Sequence, residues 1–175
     1  MYDGPLDHAL SKVDSYRRPE MASIEWGEQR EIEGFEPSGD LMLIYGTLRA
    51  GEYNHEAFEL DQNATFLGDG RLSGYAMRDV GKFPIAYKTG DPEDSIVVEL
   101  YEVHNKQAAS TLDRMERDYG YKRQKFTVDT GERELENVGM YVMPGKKVDD
   151  LPQVPGGDWV RHYSMKKELG LIKEK

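Results

Sequence analysis

Residues 41–49, LMLIYGTLR, decide how this chain is read. Five apolar positions, Leu41, Met42, Leu43, Ile44 and Tyr45, run straight into Gly46. Such a run is a buried strand that stops at a tight turn. Backbone N–H groups at that strand end, with no side chain on Gly46 to block them, are placed to hold an anion or a developing oxyanion. A plain structural turn produces the same local pattern, so the meaning of this one depends on what surrounds it.

Downstream, Ala64–Leu67 and Arg71–Arg78 read as strands, with Asp69-Gly70 as the hairpin turn between them. Phe83–Lys88 is another strand, and Pro84 gives it an edge-like start. Residues 89–95 form a turn, and Ser95–Val103 is the clearest strand of all. Residues 105–118 have helical spacing: Asn105 caps the start, and Ala108, Leu112 and Met115 form one stripe with Ala109 and Glu116 beside it. Gly120 ends that helix. Lys122–Asp129 and Leu135–Met143 are two more strands around a turn at 130–132, and a Pro/Gly-rich excursion leads to a short helix or coil from Trp159. Residues 53–61 allow a short helix or coil. Many strands around one central helix argue an α+β domain.

Upstream, residues 1–40 are polar and acidic and contain three prolines. A short helix over 20–33 would gather Ile24, Trp26 and Ile32, although Gly27 weakens it. The expectation is an acidic N-terminal arm over 1–40 and one domain over 41–175. The part around 24–35, which also holds Phe35, docks on the body or on a second subunit, and the first dozen residues stay mobile.

The chain has 175 residues and a formal net charge of −10. That surface repels nucleic acid and anionic membrane, so neither is expected as a partner. There is no cysteine, which removes disulfides, thiolate nucleophiles and Cys-bound zinc. No apolar run reaches the length of a membrane span, and MYDGPLDHAL lacks the pattern of a secretory signal. A cytoplasmic location fits.

Glu116 is the residue with chemistry to offer. It shares a side of the helix with Leu112, and a carboxylate turned toward a core has a raised pKa and can act as a general acid–base near neutral pH. The alternative is a boundary residue paired with Arg114, Arg123 or solvent. Arg49 either meets a carboxylate or is a solvated charge after the turn. Tyr45 and Tyr121 are either walls and hydroxyl donors of a site or core tyrosines. Tyr75 and Tyr101 read as structural or cavity-lining, Trp159 as barrel packing, and Arg78 with Asp79 as a structural pair. His8, His55, His104 and His162 are scattered without ligand spacing, so no metal is expected.

The blocks YGTLRAGEYN (45–54), ATFLGDGRLSGYAM (64–77), GKFPIAY (81–87), VVELYEV (97–103), LDRMERDYGYKR (112–123) and PGGDW (155–159) occur in that order. Together they closely resemble the gamma-glutamylcyclotransferase-like superfamily, in particular its short bacterial YGTLR-type and AIG2-like members. The resemblance covers roughly residues 41–160. It implies a small mixed β-barrel or roll flanked by helices. It implies that Glu116 is the catalytic residue, within an LDxxE pattern followed by Tyr121-x-Arg123. It implies that Tyr45, Gly46, Thr47 and Leu48 line a glutamyl-binding cavity, joined as substrate-binding residues by Arg49, Phe83, Pro84 and Tyr121.

The implied reaction is an intramolecular acyl transfer. The α-amine of a gamma-glutamyl conjugate attacks its own γ-carbonyl, releasing 5-oxoproline and a free amine with no cofactor. A non-catalytic binding or interaction module on the same fold is the alternative, and a hydrolase using external water is a third. The arm gives a route to a homodimer. Two positions depart from the family pattern: Val98 stands where glycine is usual, and Arg117 follows the glutamate. Valine would narrow the cavity or shift the acceptor side, and an inward Arg117 would lower the pKa of Glu116.

Overall fold

The computed structural model describes residues 21–30, 39–49, 52, 55–56, 59–104, 106–131, 133–143 and 147–172. The apolar run forms strand β2 (Asp40–Ile44), which has no polar face because both faces are covered. Leu41 and Leu43 join one buried cluster, and Met42 and Ile44 join another.

The other strands are β1 (Met21–Arg30), β3 (Ala64–Ser73), β4 (Tyr75–Asp79), β5 (Pro84–Lys88), β6 (Ser95–Val103), β7 (Lys122–Asp129) and β8 (Glu134–Val142). Six of them close into a barrel in the order β1-β3-β6-β2-β8-β7. The β2·β8 and β1·β7 pairs are parallel and the rest antiparallel, so the barrel is mixed. The first cluster contains Ile24, Leu43, Leu72, Val98, Phe126 and Val138, one from each barrel strand, and is therefore the barrel interior. Side chains fill it, as in small closed barrels generally.

Helix α1 (Lys106–Asp118) lies against the outside of the barrel. Its Ala108, Ala109 and Leu112 meet Met42, Ile44, Tyr101 and Val103 in the second cluster. Helix α2 (Trp159–Glu168) starts at a residue that is fully buried in the barrel cluster, and Asp158 caps it by accepting from the Arg161 N–H at 3.3 Å. Trp159 therefore packs the barrel. Strands β4 and β5 pair only with each other as a ladder and form a separate hairpin beside it. The architecture is the α+β mixed barrel with flanking helices that the resemblance implied. Among the described residues no helix is long and apolar enough to cross a membrane.

Three expectations are corrected. Residues 21–30 are not part of a helix but strand β1, antiparallel to β3 and parallel to β7. Ala22 and Ile24 are buried and Trp26 packs on the same cluster, whereas Ser23 and Glu25 between them do not, which is a two-residue period. The Asp69-Gly70 hairpin does not exist, because β3 runs straight through it. Gly70 serves close approach: a Cβ there would lie 2.4 Å from the carbonyl oxygen of Glu25 on β1. The chain leaves the barrel later, at Gly74, whose φ of +80° suits glycine. Arg78 and Asp79 are not paired with each other. Arg78 donates to the Leu151 carbonyl, while Asp79 meets His162 and Lys166.

Residues 60–63 make one helical turn in the 53–61 region. The Asn105 cap, Ile32, Phe35, the first dozen residues, and positions 53–54 and 57–58 lie outside the described residues.

Candidate active site

The end of α1 brings two of the expected site residues together. Gly120 takes a φ of +94° and donates to the Arg117 carbonyl at 2.9 Å, and Tyr121 donates to the Glu116 carbonyl at 3.0 Å. These two bonds form a Schellman cap, which glycine favours at that position. The cap ties Tyr121 to Glu116 through the backbone, five residues apart.

Glu116 is half-buried and has no hydrogen bond or ion pair among the described residues. Burial alone raises its carboxyl to about 7. The arginines expected as alternative partners are elsewhere. Arg114 is exposed, and Arg123 pairs with Asp113 at 3.2 Å and Asp40 at 3.6 Å. Arg117 is exposed and does not lower the Glu116 pKa.

Three tyrosines lie close enough to that carboxylate to feel its charge. Burial is the main cause that raises the hydroxyl pKa of Tyr45, Tyr121 and Tyr141, and the Glu116 charge raises each further. All three stay protonated at neutral pH. Tyr45 donates to the Tyr141 carbonyl at 2.6 Å and lies 3.4 Å from the Ala86 amide nitrogen. Tyr121 donates to the Pro84 carbonyl. Tyr141 donates to Asp113 at 2.6 Å. A bond from Arg123 completes the Asp113 carboxylate, so α1 is bolted to the barrel three residues before Glu116.

The turn after β2 is held from behind. The Arg49 N–H bonds to the Gly46 carbonyl at 3.0 Å, and the His55 N–H bonds to the Thr47 carbonyl at 3.1 Å. The His55 ring, buried, places Nδ1 2.8 Å from the Leu48 carbonyl. Gly46 is pressed against the hairpin: a Cβ on it would lie 3.0 Å from both Cγ and Cδ of Pro84. Phe83 stands next to Pro84, with its ring centroid 6.0 Å from those of Tyr121 and Tyr119. Leu48 is buried in the cluster with Tyr121 and Leu112. Tyr45, Gly46, Leu48, Phe83, Pro84, Glu116 and Tyr121 thus converge where β2, β5 and the end of α1 meet.

Arg49 departs from this group. Its Nε lies 3.0 Å from Glu99 and its Nη1 2.8 Å from Asp158, and only 11% of its side chain is exposed. Glu99 also accepts from the Tyr101 hydroxyl at 2.8 Å. Arg49 is therefore not a solvated charge. It meets carboxylates that the protein itself supplies, on β6 and at the cap of α2. Val98 is fully buried inside the barrel, and Tyr75 stacks on Phe126 in the same core.

Asp113, Tyr141 and His55 were not singled out from sequence as parts of this arrangement. For His55 the only signal was its nearness to the turn. Among the described residues no cluster of three acidic or histidine side chains could hold a metal ion.

A family model described as "Gamma-glutamyl cyclotransferase, AIG2-like" matches residues 42–161. Solved structures share the fold. Uncharacterized protein PH0828 from Pyrococcus horikoshii is 24% identical with a TM-score of 0.57, over 74% of this chain and 98% of that one. An AIG2-like protein from Mus musculus is 21% identical with a TM-score of 0.52, over 69% and 93%. Protein ytfP from Escherichia coli is 27% identical with a TM-score of 0.50, over 69% and 96%. No curated protein matches the sequence significantly. With two thirds of its length matched by one family model and the barrel and helices in place, the chain belongs to the AIG2-like gamma-glutamyl cyclotransferase family.

Proposed function

We propose that this protein is an enzyme that cyclises a gamma-glutamyl amine or amide conjugate, releasing 5-oxoproline and the free amine. The observation that carries the reading is Glu116: a carboxyl raised to about 7, without a partner among the described residues, at the end of α1 and within electrostatic reach of Tyr45, Tyr121 and Tyr141.

The chemistry follows from that placement. Near pH 7 the carboxylate is ionised in about half the molecules, which suits a group that must both take and return a proton. It takes a proton from the substrate α-ammonium. The freed α-amine attacks the γ-carbonyl and a tetrahedral oxyanion forms. Backbone amides of the 46–48 turn stabilise that oxyanion. Glu116 then returns the proton to the departing nitrogen and the C–N bond breaks; the ring nitrogen gives up its second proton to the freed amine, which leaves as an ammonium, and neutral 5-oxoproline remains. The nucleophile belongs to the substrate, so the protein needs only to fold it into attack geometry and shuttle a proton from the attacking to the departing nitrogen, the second proton passing to the released amine. Tyr45, Leu48, Phe83, Pro84 and Tyr121 supply the walls. Arg49 acts from behind, holding the turn on β6 and α2.

The test is incubation with a panel of gamma-glutamyl conjugates while 5-oxoproline is measured by mass. Turnover by the natural chain, lost by ~10²–10⁴-fold in Glu116→Gln, is the expected result. Binding without turnover would establish a non-catalytic module, and release of free glutamate would establish a hydrolase using water.

A further inference from the structure

The Phe83–Pro84 wall sits on a two-stranded hairpin whose ladder is separate from that of the barrel. β4 and β5 pair as a ladder only with each other; Tyr75, Met77 and Ala86 pack the body of the hairpin into the barrel core and residues 152–154 bond its β4 backbone, while its tip, the 80–83 turn, has no ladder bond to a barrel strand. From the site side the tip is held by Tyr121 on the Pro84 carbonyl and by Tyr45 near the Ala86 amide. From the other side it is held at Asp79, the residue directly across from Pro84 in the hairpin register, whose N–H donates to the Pro152 carbonyl at 2.8 Å and whose side chain reaches α2.

Asp79 is a buried carboxylate with every oxygen engaged. Oδ1 accepts from the Gly81 N–H at 2.6 Å, inside the turn that Val80 closes by donating to the Phe83 carbonyl at 3.0 Å. Oδ2 lies 2.7 Å from Lys166 Nζ and 2.8 Å from His162 Nε2, both on α2. Lys166 reaches past it to the Gly81 carbonyl at 3.0 Å. Burial disfavours the Asp79 charge, but the bonds from Lys166, His162 and Gly81 outweigh it and hold the carboxyl below its ordinary value. Lys166 and His162 are themselves mostly buried here, at 17% and 18% exposure, so this is not a loose surface pair. Both lie beyond residue 161, where the family match ends.

We infer that Asp79, His162 and Lys166 form a positioning clamp that sets the Phe83–Pro84 wall against Tyr121. The clamp touches no reacting atom. It acts through the 80–83 turn, and its effect on turnover rests on the cyclotransferase reading, whereas its effect on the hairpin does not. Cutting it frees the wall without moving Glu116, so substrate binding suffers and proton transfer does not.

The experiment uses the full chain with Lys166→Met and Lys166→Arg, read by amide hydrogen exchange and by steady-state kinetics. Charge-assisted hydrogen bonds of this kind correspond to about tenfold effects. Lys166→Met should speed exchange about tenfold at Val80, Gly81 and Ala86 while Leu43 and Leu100, in the barrel ladder, stay as they were. KM should rise about fivefold with kcat within about twofold, and Lys166→Arg should restore both by donating to the same oxygen. Unchanged exchange at 80–86 would overturn the clamp. So would equal acceleration in the barrel, which marks general loosening, or a fall in kcat with KM constant. Should the natural chain release no 5-oxoproline, the proposed function fails by itself, and the exchange measurement alone decides the clamp.

Discussion

Glu116→Gln should stabilise the protein while it abolishes turnover. The carboxyl moves from an ordinary value of 4.5 to about 7 on folding, because burial disfavours its charge. A folded-state value above the unfolded one means that the folded chain holds the proton more tightly. This group therefore favours the fold at low pH, and that contribution is lost as pH rises from about 4.5 to about 7. At about 1.4 kcal/mol per tenfold change, the ionised side chain opposes folding by roughly 3 kcal/mol before solvent is considered. Glu116 is half-buried, and screening brings this to about 1–2 kcal/mol. Glutamine has the same shape and no charge to desolvate. For a chain of this size each kcal/mol is about 2–4 °C, so the variant should melt roughly 2–8 °C higher at pH 8 and at the same temperature at pH 4.5. Thermal melting of both proteins across that range is the assay. A variant that melts lower at pH 8, or a difference that does not grow with pH, would show that Glu116 does not carry a desolvated charge, and its role as base would lose its physical ground.

The same carboxyl sets a rate profile: kcat/KM for 5-oxoproline release should rise about tenfold from pH 6 to pH 8, with an apparent pKa near 7 that is absent in Glu116→Gln. Arg49→Met leaves the Glu99 and Asp158 carboxylates without their guanidinium, and should cost about 3–5 kcal/mol in chemical denaturation, less if water reaches Asp158. Deleting residues 1–30 removes a barrel strand and exposes the paired edges of β3 and β7; circular dichroism and light scattering should show loss of cooperative melting or aggregation.

The parts of the fold that could be read were those whose pattern had one cause. β2 and β6 are apolar at successive positions because both their faces are covered, and α1 shows one apolar stripe because it meets the barrel on one side. β1 misled because its alternation of Ala22, Ile24 and Trp26 with Ser23 and Glu25 sits in an acidic surround and ends at Gly27. That glycine is there because a Cβ would lie 2.7 Å from the Asp69 carboxylate. Gly70 misled for the same reason: glycine marks either a turn or a close approach, and only the neighbouring strand decides which. Glu116 could be placed from helix spacing alone, but its freedom from Arg114, Arg117 and Arg123 could not, since each arginine's direction depends on elements far along the chain.

That distance explains why six short blocks identified the fold when no single block could. Arg49 of the YGTLR block meets Glu99 of the VVELYEV block, 50 residues on, and Asp158 of the PGGDW block, 109 residues on. Pro84 of the GKFPIAY block packs on Gly46 and accepts from Tyr121 of the LDRMERDYGYKR block. Asp113 of that last block pairs with Arg123 and accepts from the Tyr141 hydroxyl. The blocks are the ends of contacts, and each contact crosses between elements that meet around the turn after β2. A side chain such as Arg49 has little value at that turn unless both carboxylates are present, because a buried guanidinium without them would be unpaired. Physical dependence of this kind makes the blocks informative only as a set. It also predicts how they fail: restoring stability to Arg49→Met should require removing the charges of Glu99 and Asp158 together. In a double-mutant cycle Arg49→Met with Glu99→Gln should recover part of the loss, and the further change Asp158→Asn, which keeps the helix cap, should recover most of the rest. Strict additivity of the three changes would show that the pairs seen in the fold are energetically separate, and that the blocks stand in register for some reason other than this network.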